Sequence, residues 1–278
     1  MEKFTLELLF HIIGIGSASG IFYKDNSLFI VGDNSGFLYE YHIDSQHLNR
    51  HPLIENPSEN IPKKDKPDFE ALTCFENSIY VFGSGSTSKR NLMVEFGWTQ
   101  KKKIASDNLA DLYTKMQNFA SIKPEDFNIE GVIHDGENWY FLNRGNGISN
   151  KNTLFSFYTK KLNQEFNMRS NDYELPKING IVSSFTDAVL VDSKIYFLAT
   201  AENTQSTYDD GEVLGSIIGR IDLKTMKIDF TTKISDSHKF EGLTVLKNDN
   251  NKIEFLLCED KDSEILETAI YKLSLNLK

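Results

Sequence analysis

Residues 67–75 read Pro-Asp-Phe-Glu-Ala-Leu-Thr-Cys-Phe (PDFEALTCF), an acidic residue at the head of a short apolar run. The same shape recurs as FNIEGVIH at 127–134, SFTDAVLV at 184–191 and KFEGLTVL at 239–246. SASGIFY at 17–23 is a fifth copy, with Ser19 in the place of the acid. The heads of the runs, Ser19, Glu70, Glu130, Asp187 and Glu241, are 51, 60, 57 and 54 residues apart, and passing from Glu241 through the last residue and on from the first to Ser19 gives 56. A repeat of this period built from short strands rather than helices is the signature of a β-propeller, whose blades stack around a central channel. The spacing predicts an all-β, five-bladed β-propeller over residues 1–278, a single domain.

Each copy has the same internal cadence. Apolar or alternating runs at Gly20 to Tyr23, Leu28 to Val31 and Phe37 to Ile43 are separated by Lys-Asp-Asn-Ser and Gly-Asp-Asn-Ser-Gly, both turn signals. The fourth copy carries an outer strand at Ile228 to Lys233, whereas the fifth runs out after Ala269 to Leu275. Thr5 to Ile13 is the run left to fill that vacancy, so the N-terminal strand is expected to close the last blade and cover an exposed edge. One insertion departs from the cadence: residues 106–121 place Leu109, Leu112, Tyr113, Met116 and Phe119 at helical spacing behind candidate caps at Ser106 or Asp107, predicting one helix packed on the rim.

Composition narrows the function classes. A net charge of -10 argues against a nucleic-acid polymer as partner, and the lysine runs (Lys63, Lys64 and Lys101 to Lys103) read as solvated turns. No uncharged apolar stretch is long enough to span a membrane, and Glu7 and His11 break the segment Lys3 to Ser19 that would otherwise resemble a secretory leader. A cytoplasmic protein is the expectation, with a periplasmic or secreted one left open. Cys74 and Cys258 have no metal or redox spacing and read as buried thiols, and the six histidines show no ligand pairing.

The chemistry is expected where inner strands begin. In a propeller those strand starts share one face with the loops that follow each second strand. Ser19, Glu70, Glu130, Asp187 and Glu241 therefore meet Asp33 and Asn34, Ser84 and Ser86, Asn143, Arg144 and Asn146, Glu202 and Asn203, and Glu259 and Asp260. Four carboxylates at about 6–7 Å repel by roughly 2–3 kcal/mol per pair at an effective dielectric of about 20. Such a ring must take up protons, pair with the nearest cations (Lys239, Arg90, Arg144) or hold a metal; all-oxygen donors favour calcium. Ser19, Glu70, Glu130, Asp187 and Glu241 are thus the candidate ligands of a Ca2+ ion. The alternative reading is architectural, with the same carboxylates accepting backbone N–H bonds from a neighbouring blade.

These motifs resemble an uncharacterised bacterial five-bladed propeller family, and their order is similar to that of the calcium-activated nucleotidases (apyrases). The resemblance implies a calcium on Ser19, Glu70, Glu130 and Glu241, with Asp187 standing where that family has a Ser. Val31-Gly32-Asp33-Asn34-Ser35-Gly36 is similar to the family's Asp-Asp-Arg-Thr-Gly loop and Phe141-Leu142-Asn143-Arg144 to its Phe-Leu-Pro-Arg-Arg segment, with Gly32, Asn34 and Gly145 as departures. Asp68 to Ala71 also looks like the Asp-x-Glu-Ala of phytase-like esterase propellers. The implied activity is metal-dependent hydrolysis of a phosphoanhydride or phosphoester small molecule at the channel mouth. Asp33 or Glu130 would be the base, Arg144 a catalytic phosphate contact, and Asn34, Arg90, Asn143 and Asn146 substrate-binding groups. The competing expectation is a non-enzymatic propeller with a structural metal that binds a glycan or a protein through a rim of Trp98, Trp139, Tyr158 and Tyr208. The loop from Asn203 to Gly215 reads as a solvated hairpin.

Overall fold

The structure is a computed structural model that describes residues 3–164, 166–207, 211–249, 251–261 and 265–276. Its first strand, β1 (Phe4–Ile13), is followed by four sequence-local blades, each an antiparallel meander. Blade 1 is β2 (Ala18–Lys24), β3 (Ser27–Gly32), β4 (Phe37–His42) and β5 (His47–Pro52). Blade 2 is β6 (Phe69–Phe75), β7 (Ser78–Gly83), β8 (Leu92–Gly97) and β9 (Lys102–Asn108). Blade 3 is β10 (Ile129–His134), β11 (Asn138–Asn143), β12 (Asn152–Tyr158) and β13 (Met168–Tyr173), and a short hairpin, β14 (Lys177–Ile178) and β15 (Ile181–Val182), leads to the next blade. Blade 4 is β16 (Ser184–Val191), β17 (Lys194–Asn203), β18 (Glu212–Asp222) and β19 (Lys227–Ser235). Blade 5 is β20 (Phe240–Asp249), β21 (Lys252–Glu259) and β22 (Glu267–Asn276), completed by β1 on its outer edge.

β1 pairs with β22 from Phe4↔Leu275 to Ile13↔Glu267, so the two ends of the chain share one sheet and the ring is latched by backbone hydrogen bonds. Five apolar clusters hold the blades together, and each straddles one blade boundary. Phe82 of blade 2 meets Phe141 of blade 3 edge-on at 5.3 Å, Tyr196 of blade 4 meets Phe255 of blade 5 at 5.2 Å, and Phe10 of β1 stacks on Tyr41 of blade 1 at 5.6 Å. The period-2 alternation of the strands sends large side chains into both neighbouring boundaries, and each such side chain contributes roughly 1.5–3 kcal/mol when fully buried.

The helix is α1 (Ala110–Ala120), shorter than its sequence pattern. Ser106 and Asp107 do not cap it: both belong to β9, paired with Val94 and Met93, and the Asn108 side chain accepts the Ala110 N–H at 2.9 Å instead. Leu109, Leu112, Tyr113 and Met116 are buried against blades 2 and 3, whereas Phe119 is exposed. Among the described residues, no helix is long and apolar enough to cross a membrane.

The inner strands β2, β6, β10, β16 and β20 surround the channel, and all five carry a β-bulge near their start. The register skips one residue in each: Ser19, Glu70, Glu130, Thr186 and Glu241. A bulge re-aims the extra residue away from the regular pleat. The residue after it is Gly20, Ala71, Gly131 or Gly242 in four blades, where inner strands approach closely; a Cβ on Gly242 would lie 3.1 Å from the Ile21 nitrogen. The fourth blade has Asp187 there. The equivalent of the three bulge glutamates is therefore Thr186, one residue ahead of the acid that the sequence pattern aligns.

Candidate site at the channel mouth

The bulges and the loops beyond the second strands converge on a polar cavity at one mouth of the channel. Asp33, Lys63, Lys66, Asp68, Glu70, Arg90, Asn128, Glu130, Arg144, Asn146, Glu202, Lys239, Glu241 and Asp260 line it, with Ser206 and Thr207. Its volume of about 50 Å³ holds an ion and a few waters. A nucleotide-sized molecule would have to sit above it, with only its anionic end entering.

The cavity is a charge lattice. Arg144, buried, reaches Glu202 at 2.5 Å, Glu130 at 3.3 Å and Glu241 at 3.5 Å. Lys239 lies 3.1 Å from Glu241 and 3.2 Å from Asp260. On the other side Lys66 bonds Asp33 and is 2.8 Å from Asp68, while Arg90 donates to Asp68 at 2.8 Å and to Ser86 at 2.9 Å. Lys239, Arg90 and Arg144, the cations nearest in sequence, are joined by Lys63 and Lys66: five basic side chains face seven carboxylates, leaving a formal charge of -2. Burial would lower the Lys66 ammonium, but the Asp68, Asp33 and Glu70 carboxylates outweigh it and hold it above its usual range. Asp33 is also raised, by burial first and then by Asp260 and Asp68, against the pull of Lys66. The excess of acids over bases drives the Lys66 shift, and burial leads the Asp33 shift.

Glu70 stands apart. The residue is 8% exposed, and its carboxylate lines the cavity with no hydrogen bond or ion pair among the described residues. Burial, reinforced by Glu130, Asp68, Asp33 and Glu241, pushes it well above the ordinary carboxylate range. One oxygen each of Asp33, Asp68 and Glu70 lie within 4.8 Å of one another, and Asp33 Oδ1 is itself buried without a partner. Oxygens around a calcium at 2.3–2.6 Å are at most about 5 Å apart, so the trio fits such an ion.

The remaining sequence candidates divide. Glu130, Glu241, Arg90, Arg144 and Asn146 line the cavity; Asn146 donates to the Ser206 carbonyl at 3.3 Å and its Oδ1 is buried without a partner. Asn34 and Asn143 do not line it: Asn34 donates to Asn60 at 3.5 Å, and the buried Asn143 bonds the Asn128 N–H at 2.9 Å and the carbonyls of Arg144 and Lys151 at 3.3 and 3.0 Å. Ser19 Oγ donates to the Ser17 carbonyl at 3.3 Å. Asp187 accepts the Ala188 and Leu243 N–H groups, both at 2.7 Å, and so ties blade 4 to blade 5, the architectural use of a carboxylate. Burial raises its pKa well above the usual range, opposed by those two N–H bonds.

Lys66 escaped the sequence reading, although Lys66-Pro67-Asp68-Phe69-Glu70 alternates charged and apolar residues into the bulge. The lysine runs are not merely solvated: Lys63 lines the cavity, and Lys101 bonds the buried Glu40 and lies 4.8 Å over the Phe29 ring. The aromatic rim also needs correction. Trp139 pairs with His134 and Tyr158 with Asn138 beside the β10–β11 hairpin, and Trp98 follows β8 beside the β6–β7 hairpin, which places all three on the opposite face from the acids; Tyr208 lies outside the described residues. Cys258 is buried and Cys74 half-buried, both as free thiols.

Residues 14–275 match a protein family of unknown function (DUF6929), and the chain belongs to it. No curated protein matches the sequence. Among solved structures it is similar to the glutaminyl cyclase of Myxococcus xanthus (TM-score 0.57, 10% identity, covering 98% of this chain and 97% of that one). It is also similar to the allergen Mala s 1 of Malassezia sympodialis (0.56, 11%, 96% of each chain) and to the PQQ-bound aldose sugar dehydrogenase of Streptomyces coelicolor (0.52, 7%, 98% of each). At these identities the likeness is one of fold, and it spans proteins of different function.

Proposed function

We propose that the channel mouth binds one calcium ion and, with it, a phosphate-bearing small molecule whose phosphoanhydride or phosphoester bond is hydrolysed there. The observation that carries this reading is Glu70, a buried residue whose carboxylate has no partner among the described residues, close to Asp33, whose Oδ1 is also unpartnered, in a cavity of formal charge -2. A divalent cation brings that charge to zero, whereas an anionic substrate alone would be repelled. Glu70, Asp33 and Asp68 are the ligands the reading assigns, with the charges of Glu130 and Glu241 behind them.

When bound, the ion would supply Lewis acidity for a water or a phosphoryl oxygen. The chain's own residues do the rest. Glu130, which lines the cavity and is not among the assigned ligands, is the base the reading assigns. Arg144 is held by three carboxylates and fixes Glu130, Glu202 and Glu241 rather than gripping substrate. Arg90 likewise holds Asp68 in place. The test is calcium titration by calorimetry, followed by phosphate release from a panel of nucleoside di- and triphosphates and phosphomonoesters with and without chelator. One calcium per chain and chelator-sensitive release are expected. Absence of calcium binding would overturn the proposal, and calcium binding without turnover would reduce it to a binding site.

A further inference from the structure

Four basic side chains grip the cavity's carboxylates, and Lys66 differs from the others. Arg144 is spread over Glu130, Glu202 and Glu241, Lys239 bridges Glu241 and Asp260, and Arg90 holds Asp68 together with Ser86. Among the described residues, Lys66 is the one whose ion pairs reach two members of the trio of proposed calcium ligands, Asp33 and Asp68. Its side chain is nearly buried in the cavity wall. The ammonium therefore stands where part of the metal's charge would act.

The oxygens are divided in a way that makes the two cations rivals without a steric conflict. Asp33 gives Oδ2 to Lys66 and leaves Oδ1 without a partner. Asp68 gives Oδ1 to Lys66, while Oδ2 is taken by Ser84 at 2.5 Å and Arg90 at 2.8 Å. A calcium on Glu70 and Asp33 would thus share Asp33 with the ammonium and repel it across a short distance in a water-poor site, where like charges are costly. The ammonium then needs another counter-charge, and an oxyanion entering the mouth is one.

Resting on the calcium reading, we propose that Lys66 couples cation and anion binding. Calcium loosens the Lys66 ammonium from Asp33 and Asp68, the freed ammonium holds a tetrahedral oxyanion, and each ligand tightens the other. Coupling of this kind is reciprocal, so the factor by which anion improves calcium affinity must equal the factor by which calcium improves anion affinity.

The experiment is calorimetric titration of calcium in the absence and presence of sodium sulfate, and of sulfate with and without calcium, on the wild-type chain and on Lys66→Met, Lys66→Gln and Lys66→Arg. Sulfate serves as a divalent oxyanion that cannot be hydrolysed. In the wild type, saturating sulfate is expected to tighten calcium at least tenfold and calcium to tighten sulfate by the same factor. Lys66→Met and Lys66→Gln should bind calcium more tightly than wild type without anion, and should show less than about threefold coupling. Lys66→Arg should keep most of it. Calcium binding that is indifferent to sulfate, or full coupling in both neutral variants, overturns the role of Lys66 and leaves the calcium site standing. No calcium binding in any of the four chains overturns both.

Discussion

Replacing Glu70 by Gln removes one negative charge while keeping the shape of the side chain, and the account assigns it opposite effects with and without calcium. Glu70 shares a 4.8 Å neighbourhood with Asp33 and Asp68. At that distance and an effective dielectric of about 20, each carboxylate pair repels by about 3.5 kcal/mol, or about 7 kcal/mol for the two. The Lys66 ammonium, which also feels Glu70, offsets part of this. Burial and the neighbouring acids shift Glu70 toward its neutral form, which offsets a further part, so the metal-free Gln variant should be more stable than wild type by about 1–3 kcal/mol, a rise in melting temperature of roughly 2–10 °C for a chain of this size. With calcium the sign reverses. Loss of a charged ligand should weaken calcium binding at least about tenfold, roughly 1.4 kcal/mol, and reduce the calcium-induced rise in melting temperature. Scanning calorimetry in chelator and in millimolar calcium reads both. A Gln variant that is less stable than wild type in chelator and gains as much from calcium would refute the reasoning, because Glu70 would then be an ordinary packing residue.

Metal-free stability should fall as pH rises above about 5. Glu70, Glu241, Glu130 and Asp33 all have native pKa values raised by burial, so in the window above the unfolded carboxylate range the native state binds protons that the unfolded chain does not. Denaturant melts between pH 5 and 8 should show this slope, and saturating calcium should flatten it by replacing the protons; a flat metal-free profile would count against the clustered acids. Arg144→Met should destabilise the metal-free chain by about 3–5 kcal/mol by leaving Glu130, Glu202 and Glu241 without their shared cation, and calcium should restore part of the loss. Asp187→Ala leaves the Leu243 and Ala188 N–H groups without acceptors and should cost about 2–4 kcal/mol in denaturant unfolding, with calcium affinity within twofold of wild type.

The ring was legible because its signal is periodic. An acid followed by an apolar run, at intervals that differ by only a few residues, marks five inner strands, and the missing fifth outer strand assigns Thr5 to Ile13 to the last blade. What periodicity does not reveal is the bulge. A one-residue skip in pairing sends Thr186 rather than Asp187 to the position of Glu70, Glu130 and Glu241, and the two are adjacent in the sequence. Pairing partners decide such a skip, and those lie in the next strand. The charge lattice was legible in half. Acids at strand starts stand out against apolar runs, but Lys66 and Lys63 sit in a lysine-rich loop that reads as solvent-facing until the blades bring it to the mouth. Chain order likewise hides that Trp98, Trp139 and Tyr158 fall at the far ends of their strands.

Glu70 and Asp33 together leave room for a cation that the protein's own basic side chains do not replace. A crystal structure at better than 2 Å resolution, grown in calcium with anomalous data, tests it directly. The account predicts one anomalous peak in the mouth, 2.3–2.6 Å from oxygens of Glu70 and Asp33, with the Lys66 ammonium displaced from Asp33. A mouth that contains only water, with Lys66 still on Asp33 and Asp68 and Glu70 bonded to solvent, would contradict it.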